Sequence, residues 1–147
     1  MSSSQVTTGD RIIDPMIALA GCSTRQRIVV AGSKSMEVML ELHRRGYLLA
    51  AATGNCGRPA GQYDVALVDW RRRTLHALEA TMDWLVNFLR PSAVLVVWVD
   101  AQKAAVNASL RASVEKRGFV IVDGTVHECG CALSARRLQS YPAQKAA

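Results

Sequence analysis

Aromatic residues are scarce, only 5% of the 147 positions. A core built from this chain must therefore rely on valine, alanine and leucine more than on rings. Long hydrophobic runs are missing too. Charge or proline breaks every apolar stretch before it reaches the length of a bilayer, which argues against a membrane-spanning helix. The opening residues MSSSQVTTGD have no positive n-region and no apolar h-region. They do not read as a secretory signal, and a cytoplasmic location is the expectation. The four cysteines, Cys22, Cys56, Cys129 and Cys131, form no CxxC pair. His43, His76 and His127 do not stand at zinc spacing to them, so no metal site is expected. The thiols read as buried, free and, in a reducing compartment, reduced. Cys129 and Cys131 are two apart on an expected strand and so share one face.

Positive charge is present but not concentrated. The net charge of +6 is spread over Arg44–Arg45, Arg71–Arg73 and Arg136–Arg137. No aromatic residues interleave with these clusters and no nucleic-acid module is visible, so nucleic acid is not an expected partner. The clusters read as solvated helix ends and loops. No internal repeat stands out.

Half of the chain is apolar, enough for one domain with a real core. Residues 1–13 read as a flexible N-terminal tail, 14–137 as a single α/β domain and 138–147 as a C-terminal tail. Asp14-Pro15 looks like a helix start, with Asp as cap and Pro in the first turn. That short helix could cover the sheet or bind a partner. The segment RIVVAGSKSMEVMLELHRRG, residues 27 to 46, is an apolar run, a small-residue turn at Gly32 and a helical period closed by Gly46. It is the first half of a βαβ unit. A second strand is expected over Tyr47–Thr53, then a Gly/Pro-rich loop over 54–62. A third strand is expected over Val65–Trp70, with Asp64 as a turn residue before it. A helix should run over Thr74–Leu89, with its stripe at Leu75, Leu78, Met82, Leu85 and Leu89. Trp84 and Phe88 widen its apolar surface, and Pro91 ends it. A fourth strand spans Ala93–Val99. Asp100 would cap a helix to Lys116 carrying an alanine seam (Ala101, Ala104, Ala105, Ala108, Ala112). Phe119–Val122 and Val126–Ala135 read as a hairpin turning at Asp123-Gly124. The first four strands are continuous apolar runs, the mark of a sheet covered on both faces. The last strand alternates, which suits an antiparallel partner.

This order resembles the class I S-adenosylmethionine-dependent methyltransferases, over Arg27 to Arg137. Gly32 falls where that family has the first glycine of its nucleotide-binding turn. NFLRPSAVLVVWV resembles its helix-to-strand passage, usually LRPGG before an apolar strand. GFVIVDGTVHECGCALSARR resembles its closing hairpin. The resemblance implies a three-layer Rossmann-like sandwich, mostly parallel, with an antiparallel C-terminal strand. Its spatial strand order would be 2-1-3-4-6-5, the family's usual third strand being replaced by the loop 54–62. It also implies S-adenosylmethionine as cofactor, held at Gly32, Ser33, Lys34, Ser35, Thr53, Asp69 and Trp70. The turn has one glycine where the family commonly has three, and Lys34 and Met36 place side chains in it. Thr53 stands where the family carries an acidic residue for the ribose hydroxyls, and it offers one hydrogen bond in place of two acceptor oxygens.

Asp69, at the carboxyl end of the third strand, is the candidate catalytic residue, or else a cap for the turn that follows. Trp70 and Trp98 read as core. His76 reads as an exposed residue, with a cleft-facing role as the alternative. Arg71–Arg73 could hold an acidic group or phosphate, against the solvated reading. The expectation is a degenerate methyltransferase-like domain, an interaction or regulatory module with weakened or lost cofactor binding. Its partner would be a second copy or another protein, reached through a sheet edge or the N-terminal helix. The alternative is an active small methyltransferase, whose chemistry needs mainly proximity and orientation. A receiver-like domain phosphorylated at Asp69 is the third reading. It lacks an acidic pair at Ala31-Gly32, and Asp123-Gly124 stands where a lysine is expected.

Overall fold

The computed structural model describes residues 8–32, 34–52, 62–71, 74–100, 104–127 and 130–137. The elements run α1 (Thr8–Ala20), β1 (Ile28–Gly32), α2 (Ser35–Arg44), β2 (Ala50–Ala52), β3 (Tyr63–Asp69), α3 (Leu75–Leu85), β4 (Leu89–Val99), α4 (Ala104–Lys116), β5 (Phe119–His127) and β6 (Gly130–Arg137). The six strands form one sheet in the order β2-β1-β3-β4-β6-β5. β2, β1, β3 and β4 are parallel, and β6 runs antiparallel between β4 and β5. This is the expected order.

Alternation along each central strand sends side chains to two separate cores. Val29, Ala31, Ala66, Val68, Leu95, Val97 and Val99 pack with Leu78, Met82 and Leu85 of α3 and with Leu110 and Val114 of α4. Ile28, Val30, Val65, Leu67, Val96 and Trp98 pack with Ile13, Met16 and Ala20 of α1 and with Val38, Met39 and Leu42 of α2. The result is a three-layer α/β sandwich. No helix among the described residues is long and apolar enough to cross a membrane.

Several expected boundaries move, each for a packing reason. The first helix starts at Thr8, within the expected tail, and Pro15 lies inside it. Burying Ile13 and Met16, each 1% exposed, outweighs the hydrogen bond that an internal proline removes. The Ser134 hydroxyl donates to the Leu19 carbonyl at 3.2 Å and ties α1 to β6. β6 is buried on both faces along Ala132–Ala135 and runs antiparallel, as its alternation suggested. β2 is only Ala50–Ala52, shorter than Tyr47–Thr53, because residues 48 and 49 are still in a turn. Asp64 lies inside β3 rather than before it. Its carboxylate accepts from the Arg27 N–H at 2.9 Å and pairs with Arg90 at 3.1 Å, so it ties β3 to both neighbours.

The helix expected to Leu89 ends at Leu85. A 3-10 turn over Val86–Phe88 follows, and Leu89 opens β4 opposite Tyr63. Trp84 and Phe88 stack at 4.6 Å between ring centroids. Ser92, in the passage that resembles LRPGG, has φ 71, the left-handed backbone that glycine adopts freely. In α4 the expected seam residues Ala108 and Ala112 are exposed, while Leu110, Ser113 and Val114 are buried. Larger apolar side chains win the inward face. Ala101 lies outside the described residues, and the Asp100 cap depends on the same undescribed stretch. Asp123-Gly124 is not a turn. β5 runs through it with a register shift between Ile121 and Asp123, and His127 pairs with Gly130. The Asp123 carboxylate accepts from the Gly124 N–H at 2.8 Å beside this irregularity.

Met16→Ala should cost about 2–5 kcal/mol in urea unfolding, as large-to-small core changes do; a loss below about 0.5 kcal/mol would mean that α1 does not dock. Ser92→Gly should instead raise stability by about 1 kcal/mol, read in the same titration, because it relieves a left-handed non-glycine residue.

Candidate functional site

The carboxyl ends of β1, β3 and β4 meet where open α/β sheets place their ligands. Three sequence candidates converge there. Gly32 pairs with Asp69, and Asp69 with Trp98. Gly32 has φ +107, and a Cβ on it would stand 2.0 Å from the Asp69 carbonyl oxygen. Its lack of a side chain is thus required by the β1–β3 contact itself. Trp70 is 4% exposed. Its indole N–H donates to the Thr74 carbonyl at 2.8 Å, and its backbone N–H to the Trp98 carbonyl at 2.7 Å. Trp70 and Trp98 are core residues, as their apolar surroundings suggested. Thr74 turns its hydroxyl to the Ala77 N–H at 3.1 Å and so caps α3.

Asp69 is 1% exposed. The guanidinium of Arg71 grips it in bidentate fashion, Nε to Oδ1 at 2.8 Å and Nη2 to Oδ2 at 2.8 Å. The Arg71 N–H adds a weak bond to Oδ1 at 3.4 Å. The Arg71 side chain is itself only 11% exposed. Arg71 is therefore not part of a solvated basic turn. It neutralises the carboxylate and lies over it, the geometry that makes arginine–carboxylate pairs strong. Arg72 and Arg73 lie outside the described residues.

The remaining candidates do not join this cluster. Lys34 is exposed and pairs with Glu37 at 3.8 Å across two solvated side chains, and it makes no side-chain cap on α2. Ser35 opens α2, half-buried. Ser33 and Thr53 lie outside the described residues, as does the loop 54–61 expected to replace a strand. His76 is exposed on α3. Cys22 and Cys131 are free and half-buried rather than fully buried. Burial pushes the Cys22 thiol above its ordinary range, against a smaller lowering by a backbone hydrogen bond. Cys56 and Cys129 lie outside the described residues. The other basic clusters are also partly structural. Arg45 pairs with Glu41 and Asp14, and the Glu41 hydrogen bond is the main cause raising the Arg45 pKa. Arg137 donates to the carbonyls of Val86 and Leu89 at 2.9 and 2.7 Å.

Sequence reading missed the clamp between α3 and α4. The buried Ser113 hydroxyl donates to Glu79 at 3.0 Å, and Arg117 reaches both Ser113 and Asp83 at 2.8 Å. Ser113 to Arg117 is an i,i+4 spacing, but its partners lie more than thirty residues away, so no local signal marks them.

The chain has the class I methyltransferase-like fold. It is similar to the 1,6-didemethyltoxoflavin-N1-methyltransferase of Burkholderia thailandensis, solved with S-adenosylhomocysteine, at 14% identity and TM-score 0.60, covering 93% of this chain and 81% of that one. An S-adenosylmethionine-dependent O-methyltransferase of Thermotoga maritima matches at 8% identity and TM-score 0.59, covering 92% and 72%. The [4+2]-cyclase SpnF matches at 12% identity and TM-score 0.63, covering 89% and 82%. No protein-family model and no curated protein matches the chain. Two methyltransferases and a cyclase share this fold, so the fold by itself does not name a reaction. Among the described residues, Gly32 and Asp69 of the expected cofactor set are engaged within the fold. Both Asp69 oxygens are held by Arg71, and the space beside Gly32 is filled by the backbone of β3.

Arg71→Met should lose about 3–5 kcal/mol in urea unfolding, because it strands a buried carboxylate. Asp69→Leu combined with Arg71→Met should recover most of that loss. A single-variant loss within about 0.5 kcal/mol would return Arg71 to the solvated reading.

Proposed function

We propose that this chain is a methyltransferase-fold module with weakened or lost S-adenosylmethionine binding, working by protein association at the β2 edge of its sheet. The reading is carried by the apolar margin of that edge. Leu48 is 70% exposed, Leu49 40%, Met36 46% and Leu40 49%. Leu48 and Leu49 lead directly into β2. Met36 and Leu40 lie on the same stripe of α2 as His43, whose Nε2 sits 2.8 Å from the Ala50 carbonyl. That stripe therefore looks toward β2, and the exposed apolar groups gather around the edge strand. Exposed apolar side chains beside an edge strand suit a protein partner. The apolar face of α1 is already used by its own sheet, which makes the edge the better surface. A second copy of the chain is the first partner to test. Free thiols at Cys22 and Cys131 accord with a reducing compartment such as the cytoplasm.

A second reading, an active small methyltransferase, draws on the fold neighbours and on Gly32 at the end of β1. The receiver-like reading is disfavoured by the antiparallel β5–β6 pair at the end of the sheet.

Calorimetric titration with S-adenosylhomocysteine should give no saturable heat at millimolar ligand. Saturable micromolar binding, with a stabilisation of about 2.7 kcal/mol at 100 times the dissociation constant, would move the conclusion to the active enzyme. Light scattering across a concentration series should show a dimer that Leu48→Asp dissociates. A strictly monomeric wild-type chain would remove the homodimer form of the proposal.

A further inference from the structure

A cleft of about 350 Å³ opens between α4, the end of β4 and the β5–β6 hairpin, without Gly32 or Asp69 in its lining. Its size lies in the range of small-molecule sites. The apolar lining comes from Val99, Leu110, Ala132 and Leu133. Cys131 of β6 also lines it, together with Asn107 and Arg111, which stand one turn apart on the same face of α4, so both can reach one bound group. Gly124 lines the cleft, and a branched side chain there would project into it. A Cβ there would come within 3.6 Å of Arg111 Nη1 and 3.7 Å of the Ala132 carbonyl. Arg111 is exposed, and no hydrogen bond or ion pair involves its guanidinium among the described residues. Its planar fork is free for a carboxylate. None of the described lining residues is acidic.

We propose that this cleft binds a small monoanionic carboxylate with a flat apolar body. The carboxylate sits on Arg111 and Asn107, and the body lies on Val99, Leu110, Ala132 and Leu133. Val99, at the carboxyl end of β4, brings the cleft up to the rim, but neither Gly32 nor Asp69 lines it.

The probe is 2-naphthoate, titrated into the uniformly 15N-labelled full chain and followed by amide shifts, with 2-naphthamide and inorganic phosphate as controls. Saturable shifts should concentrate at Asn107, Leu110, Arg111, Gly124, Cys131 and Ala132. Naphthamide should bind at least about tenfold more weakly, the share expected of a charge-assisted pair, and phosphate alone should not saturate. Arg111→Met should lose a similar factor, and Gly124→Val should block binding by filling the cleft, both with unfolding midpoints near wild type. Equal binding of naphthamide overturns the anion recognition. Saturable binding of phosphate at the same residues overturns the apolar body. Shifts scattered over other basic side chains, or none, overturn the site, as does an Arg111→Met variant that binds like wild type.

Discussion

The central strands of this sheet have no polar face to show to water. From Val65 to Val68 every residue of β3 is at most 1% exposed, and the same holds from Leu95 to Trp98 in β4 and from Ile28 to Ala31 in β1. Each strand must therefore be covered twice, and the layering of the molecule follows from that demand. α3 and α4 close one side, while α1 and α2 close the other. Parallel pairing reinforces it, since each crossover must carry the chain over a face of the sheet. It also explains the recruitment of α1. α2 sits over β1 and β2, and without α1 the other face of β4 and β6 would lie open.

The same constraint shapes the rim where ligands usually sit. Close contact between β1 and β3 consumes the freedom of Gly32 against the Asp69 carbonyl. Asp69 is buried by the strands around it, and a buried carboxylate needs a partner. Arg71, two residues on, supplies it. A feature that reads as a ligand contact by its position in the fold is thus satisfied within the fold. The unspent recognition chemistry lies elsewhere. Apolar groups gather at the β2 edge, and a guanidinium unpaired among the described residues faces a cleft near the other edge of the sheet.

Much of the architecture was legible in local patterns. The runs VVA, VALV and VLVVWV mark two-sided burial without any tertiary knowledge. Leu78, Met82 and Leu85 mark the inward face of α3 by spacing alone. The site was less legible. The Asp69–Arg71 pair is close in sequence, yet only the direction in which β3 ends turns the two side chains together. At Pro15 and at Asp123-Gly124 the local signals pointed the wrong way, because core contacts and ladder pairing outweighed proline and turn preferences worth only a few kcal/mol.

The sequence by itself determined the layer architecture, the strand order carried by the family resemblance, and Gly32 at the end of β1. These follow from hydrophobic period and from backbone freedom, which are properties of neighbouring residues. The tertiary structure alone decided where α1 docks, that Arg71 closes over Asp69, that Ser113 and Arg117 clamp α4 to α3, and that Gly124 and Arg111 frame a cleft. Each of those joins groups whose meeting depends on how strands and helices pack, and no local pattern carries that information.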